Sequence, residues 1–76
     1  MDIRVITINI IYSKHALQKI DELGIERKEV ESTLQKGMKW ERDGKWHAAM
    51  CGIEVVFQKE EETAIIITVY YEGSKK

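Results

Sequence analysis

At Gly37 the chain changes period. Before it, apolar residues recur three and four apart: Ala16, Leu17, Ile20 and Leu23, then Ile25, Val30 and Leu34. After it they alternate with different neighbours, through Met38 and Trp40, Trp46, Ala48 and Met50, Ile53, Val55 and Phe57, and Ile65, Ile67, Val69 and Tyr71. Side chains repeat every 3.6 residues on a helix and every two on a strand, so a change of period marks a change of element. Two helices followed by short strands predict an α+β domain, with both helices packed on one face of a twisted antiparallel sheet of four strands. The 76 residues are expected to form a single domain, because a chain of this size has one modest core and buries only about 60% of its unfolded surface.

The helix boundaries are written in the punctuation. Ser13 is a preferred N-cap and Gly24 a preferred left-handed stop, which places the first helix over 14–23. A second helix is expected from about Glu26 to Lys36, ended by Gly37; its apolar stripe is narrow, which predicts a place at the edge of the domain. The N-terminal stretch "MDIRVITINIIY" is apolar and β-branched but interrupted by Asp2, Arg4 and Asn9, so it reads as a further strand joining the sheet at an edge.

Loop lengths then predict the strand register. A three-residue "RDG" turn sets Trp40 opposite Trp46, whereas a two-residue "DG" turn sets it opposite His47; the first keeps both tryptophans on one apolar face and is preferred on that ground. "CG" as a two-residue turn sets Met50 opposite Ile53, and "EEE" as a three-residue loop sets Phe57 opposite Ile65. Trp40, Trp46, Phe57 and Ile67 are therefore expected to be buried together beneath the helices. The other face is expected to carry Lys39, Glu41, Lys45, His47, Glu54, Gln58, Thr68 and Tyr70, mixed with Ala49, Val56, Ala64 and Ile66, with His47, Glu54, Thr68 and Tyr70 in one neighbourhood.

His15 occupies the second position of the first helix and points away from the apolar stripe. The positive end of a helix dipole disfavours an imidazolium, which suits a neutral general base; a surface histidine beside a cap is the plainer reading. His47 is a candidate second proton-transfer group, or one more residue of a half-exposed strand, and Tyr70 either stacks on a base or covers the sheet. RNA cleavage through the 2′-hydroxyl needs a base and an acid but no metal. The formal charge of −1 gives no support of its own to nucleic-acid binding. His47 and Cys51 show no familiar ligand spacing, so neither a metal nor another cofactor is expected. One cysteine, no secretory signal and no membrane span predict a cytoplasmic protein.

"YSKHALQKIDELGI", a second helix, and hairpins ending in "IIITVYYE" together resemble a family of small domains of unknown function marked by an S-x-H-A helix start and a T-x-Y last strand. That family is similar in layout to the RelE, ParE and BrnT toxins. The resemblance implies a RelE-like fold and a toxin-like module that binds RNA or cleaves it without a metal, with RNA and an antitoxin-like protein as partners. His15 matches the helix-start histidine, and Thr68 and Tyr70 match the last-strand pair; with His47 these are the candidate catalytic residues. Lys14, Lys19, Lys39 and Lys45 are the candidate RNA contacts. Where the family commonly carries arginines along the first helix, this chain has Lys19 and Leu23. The rival reading is a non-catalytic domain that docks a protein through its open sheet face or an edge strand.

Overall fold

The computed structural model describes residues 9–72. These form β1 (Asn9–Tyr12), α1 (Lys14–Leu23), α2 (Arg27–Lys36), β2 (Met38–Arg42), β3 (Lys45–Met50), β4 (Ile53–Glu60) and β5 (Thr63–Tyr71). The strands make one sheet in the order β1-β5-β4-β3-β2. β1 pairs parallel to β5 at one edge, and the other four strands form antiparallel hairpins. The N-terminal strand thus joins an edge as expected, although the part of its sequence before Asn9 lies outside the described residues.

α1 starts where Ser13 caps it: the hydroxyl oxygen accepts from the Ala16 N–H at 3.0 Å. The same hydroxyl donates to the Ile67 carbonyl at 3.1 Å, and the Ser13 N–H donates to the Ile66 carbonyl at 3.0 Å. One residue therefore begins the helix and clamps it to β5. Gly24 ends α1 at φ 72°, and the Ile25 N–H returns to the Ile20 carbonyl, the wrap-around that follows a left-handed stop. α2 begins one residue later than expected, because Glu26 is its cap and donates its N–H to the Glu29 carboxylate at 3.0 Å. Gly37 stops α2 with extended rather than left-handed backbone. A Cβ there would lie 2.5 Å from the Thr33 carbonyl oxygen and 2.7 Å from that of Ala49, so only glycine lets the chain pass between α2 and β3.

α1 lies over β5 and β1, and α2 over β4 and β3. α2 is thus not at the domain's edge. Its stripe is wider than the sequence suggests because Thr33 is buried beside Val30 and Leu34, its hydroxyl satisfied by the Glu29 carbonyl at 2.8 Å. The core forms between these residues, with Ala16, Ile20 and Ile25, and Ala48, Ile53, Val55, Phe57, Ala64, Ile66 and Val69 of the sheet.

Two expected registers are corrected. Asp43 and Gly44, at φ 54° and 78°, form a two-residue turn, so Trp40 faces His47 and Glu41 faces Trp46. An Asp-Gly pair with both residues left-handed twists in the same sense as the strands it joins, and this outweighs pairing the two tryptophans. At the β4–β5 hairpin the connection is also two residues, Glu60 pairing with Thr63, and Phe57 faces Ile66 rather than Ile65. A β-bulge then makes Ile67 an extra residue, after which Val56 pairs with Thr68 and Val55 with Val69. The "CG" turn is as expected, with Met50 opposite Ile53. Of the four residues expected to be buried together, Phe57 is in the core and Trp46 packs partly buried against it; Trp40 and Ile67 are outside it.

Candidate functional site

The shifted turn changes what the open face of the sheet carries. Residues directly opposite one another share a face. Trp40, His47, Val56 and Thr68 therefore form one row across four strands, and Met38, Ala49, Glu54 and Tyr70 form the next. Arg42 and Lys45 pair beside the first row. Lys39, Glu41, Ala64 and Ile66, expected here, lie instead on the helix side, the last two in the core.

Glu54 is the centre of this face. It sits on β4, in the middle of the sheet, and is only 2% exposed. One of its oxygens, Oε2, takes two contacts: His47 Nδ1 at 2.9 Å and the Tyr70 hydroxyl, which donates at 2.7 Å. An ionised carboxylate only accepts, so its contact with His47 Nδ1 places an N–H on that nitrogen and turns Nε2 outward. The Tyr70 phenol is pushed up to about 12, first by burial, then by its hydrogen bond and charge repulsion from Glu54, against an opposing pull from Arg42. It is protonated at neutral pH. Trp40 stacks on the His47 ring, with centroids 5.3 Å apart. The arrangement is an imidazole oriented by a buried carboxylate and walled by an indole, with two cationic side chains alongside.

The predicted site residues divide accordingly. His47 and Tyr70 meet at Glu54, and Thr68 lies on the same face one row away. His15 is exposed in the first turn of α1, on the helix side of the sheet, and among the described residues it makes no hydrogen bond or ion pair. Lys45 is on the open face. Lys39 extends toward the end of α2, its Nζ donating to the Gly37 and Gln35 carbonyls at 3.3 and 3.4 Å. Lys19 lies 3.8 Å from Glu22, and Lys14 is exposed at the start of α1. Trp40 and Arg42 were not expected at this site; the signal for them was the Asp-Gly dipeptide, which selects the two-residue turn. Among the described residues no group of three or more His, Cys, Asp or Glu side chains is placed to hold a metal ion, and no helix is long and apolar enough to cross a membrane.

The family model for a domain of unknown function, DUF4258, matches residues 12–71. The chain belongs to the DUF4258 family. The match runs from the last residue of β1 through the end of β5, so it takes in both helices and every residue of the His47–Glu54–Tyr70 cluster. No curated protein sequence matches this DUF4258 domain. Among solved structures it is similar to a chain of the toxin–antitoxin complex RelBE2 from Mycobacterium tuberculosis. The TM-score is 0.64 at 15% identity, over 84% of this chain and 96% of that one. At that identity the likeness is one of fold: two helices on a five-stranded mixed sheet, RelE-like.

Proposed function

We propose that this DUF4258 domain is a toxin-like module that binds RNA on its open sheet face and cleaves it without a metal. The observation that carries the reading is the joint hold of Glu54 Oε2 on His47 Nδ1 and the Tyr70 hydroxyl, at 2.9 and 2.7 Å. In the proposed reaction His47 Nε2 removes the proton of a ribose 2′-hydroxyl, the freed oxygen attacks the adjacent phosphorus to form a 2′,3′-cyclic phosphate, and the P–O5′ bond breaks as the 5′-oxygen takes a proton from solvent water. Glu54 is the positioning residue: it fixes the tautomer and stabilises the imidazolium as it forms. Arg42 and Lys45 supply positive charge for the phosphate, and Trp40 a flat surface for a base. Thr68 is a candidate hydrogen-bonding group at the rim. His15, exposed on the helix side, lies across the sheet from His47, Thr68 and Tyr70, so it is given no part in the step and is read as a surface residue. The fold likeness to a chain of a toxin–antitoxin complex supports an antitoxin-like protein as partner.

The test is incubation of the purified protein with RNA in the presence of a chelator. Cleavage that is lost in His47→Ala, with the circular dichroism spectrum unchanged, supports the reading. Intact RNA with the wild-type protein, or cleavage undiminished in His47→Ala, refutes it.

A further inference from the structure

We propose that the outer edge of β2 is a homodimer interface, across which two copies pair antiparallel about Trp40 and continue one sheet. β2 ends the sheet, and among the described residues nothing pairs with its outer side. A free edge is normally guarded by charges that repel a second strand. Here the charges on the strand, "MKWER", match themselves.

The hairpin turn decides which main-chain groups face outward. Arg42 and Lys45 flank a two-residue turn, and such a flanking pair exchanges both of its main-chain bonds. Bonded and non-bonded pairs alternate along the ladder, so Trp40 with His47 is bonded again, and the N–H and C=O groups of Lys39 and Glu41 turn outward. A two-fold axis at Trp40 sets Lys39 of each copy opposite Glu41 of the other. Both residues of each such pair have outward groups to exchange, and both side chains lie on the helix side, with opposite charge.

Neighbouring registers lack this match. An axis at Lys39 opposes two lysines and an axis at Glu41 opposes two glutamates, and like charges directly across a ladder are unfavourable. The axis at Trp40 also brings the two indoles together as a non-bonded pair, where side chains approach most closely. Met38, 74% exposed in one copy, then falls opposite Arg42 of the other, whose aliphatic stem can cover it. The helix layer leaves room, because the main contacts of α2 are with β3 and β4. The contacts of Lys39 Nζ with its own chain are long, at 3.4 Å to the Gln35 carbonyl, which is exposed, and 3.3 Å to the Gly37 carbonyl, which is part-buried.

Sedimentation equilibrium on the full chain, from micromolar to millimolar, tests this interface. The wild type is expected to approach twice the 8.9 kDa chain mass, Lys39→Glu and Glu41→Lys each to return to the monomer mass, and the two together to restore the dimer. A wild type that stays monomeric throughout, a dimer unaffected by either single change, or a double variant that remains monomeric overturns the pairing. Should a single variant lose its circular dichroism signature, a second measurement decides. In a Cys51→Ser background, Trp40→Cys is expected to form an intermolecular disulfide on oxidation, since directly opposed residues of a non-bonded pair have Cα atoms about 4.5 Å apart. Failure to cross-link refutes an axis at Trp40.

Discussion

Trp40 lies face to face with His47, their ring planes inclined by only 10°. The contact exists because Asp43 and Gly44 take left-handed conformations and close the hairpin in two residues. Gly44→Ala should therefore destabilise the domain by about 1 kcal/mol, the usual cost of a Cβ at positive φ, measured by urea unfolding. Trp40→Leu should move the His47 ring-proton resonances as the ring current of the indole is removed. Resonances that do not move would contradict the stacked geometry.

The bulge at Ile67 separates two adjacent isoleucines. Ile66 is fully buried among core residues, whereas Ile67 is the extra residue of the bulge and only partly buried. Ile66→Ala is expected to cost about 2–5 kcal/mol, the range for a buried aliphatic truncation, and Ile67→Ala distinctly less. Equal losses in denaturant unfolding would mean that the strand keeps regular alternation.

Removing the carboxylate of Glu54 leaves two donors, on His47 and Tyr70, facing one vacated place. Glu54→Ala should cost about 1–3 kcal/mol in all, because two part-buried donors lose their acceptor, and Glu54→Gln less, because an acceptor oxygen remains. Chemical unfolding at neutral pH distinguishes them. A Glu54→Ala variant as stable as the wild type would show that the cluster contributes nothing to the fold.

The raised Tyr70 phenol sets a sign for alkaline stability. Its folded pKa, about 12, lies above the ordinary 10.0, so between these values the folded state binds more protons than the unfolded one. This contribution is fully present below pH 10 and is lost as pH rises toward 12. Tyr70→Phe should flatten the decline across that window without abolishing it, because burial and Glu31 also raise Tyr12. Absorbance titration of the phenols should likewise lose one late-titrating group in Tyr70→Phe.

His15 and His47 predict different outcomes in the RNA assay. With His47 oriented by Glu54 as the base, His47→Ala should remove cleavage at all pH values. His15→Ala should leave thermal stability nearly unchanged, as expected for an exposed first-turn residue. Because His15 lies on the helix side of the sheet, away from His47, His15→Ala should leave the cleavage rate unchanged as well. A rate lowered in His15→Ala would instead place it in the reaction.

Element type and order could be read directly from local sequence. The period change at Gly37, the cap at Ser13 and the stop at Gly24 each depend on a few neighbouring residues, and these two helices and four strands stand where those signals lie. The nearness of His47, Glu54 and Tyr70 was also legible, because residues two apart on a strand keep their face and the Cys51–Gly52 turn admits one register. Local sequence was weaker wherever two registers bury similar apolar surface. Pairing the two tryptophans of β2 and β3 favours a three-residue turn, and in the run Ile65, Ile66 and Ile67 the alternation that puts Ile65 and Ile67 inward is matched by an equally apolar alternative with Ile66 inward. Packing separated the isoleucines, since Ile66 enters the core under the helices and the Ser13 hydroxyl takes the Ile67 carbonyl, whereas at the other hairpin the left-handed Asp43–Gly44 turn outweighed the tryptophan pairing and sent Trp40 and Arg42 to the open face. A shift of one residue exchanges every side chain between faces, so the composition of the candidate site was decided by tertiary contacts even though its strands were decided by sequence.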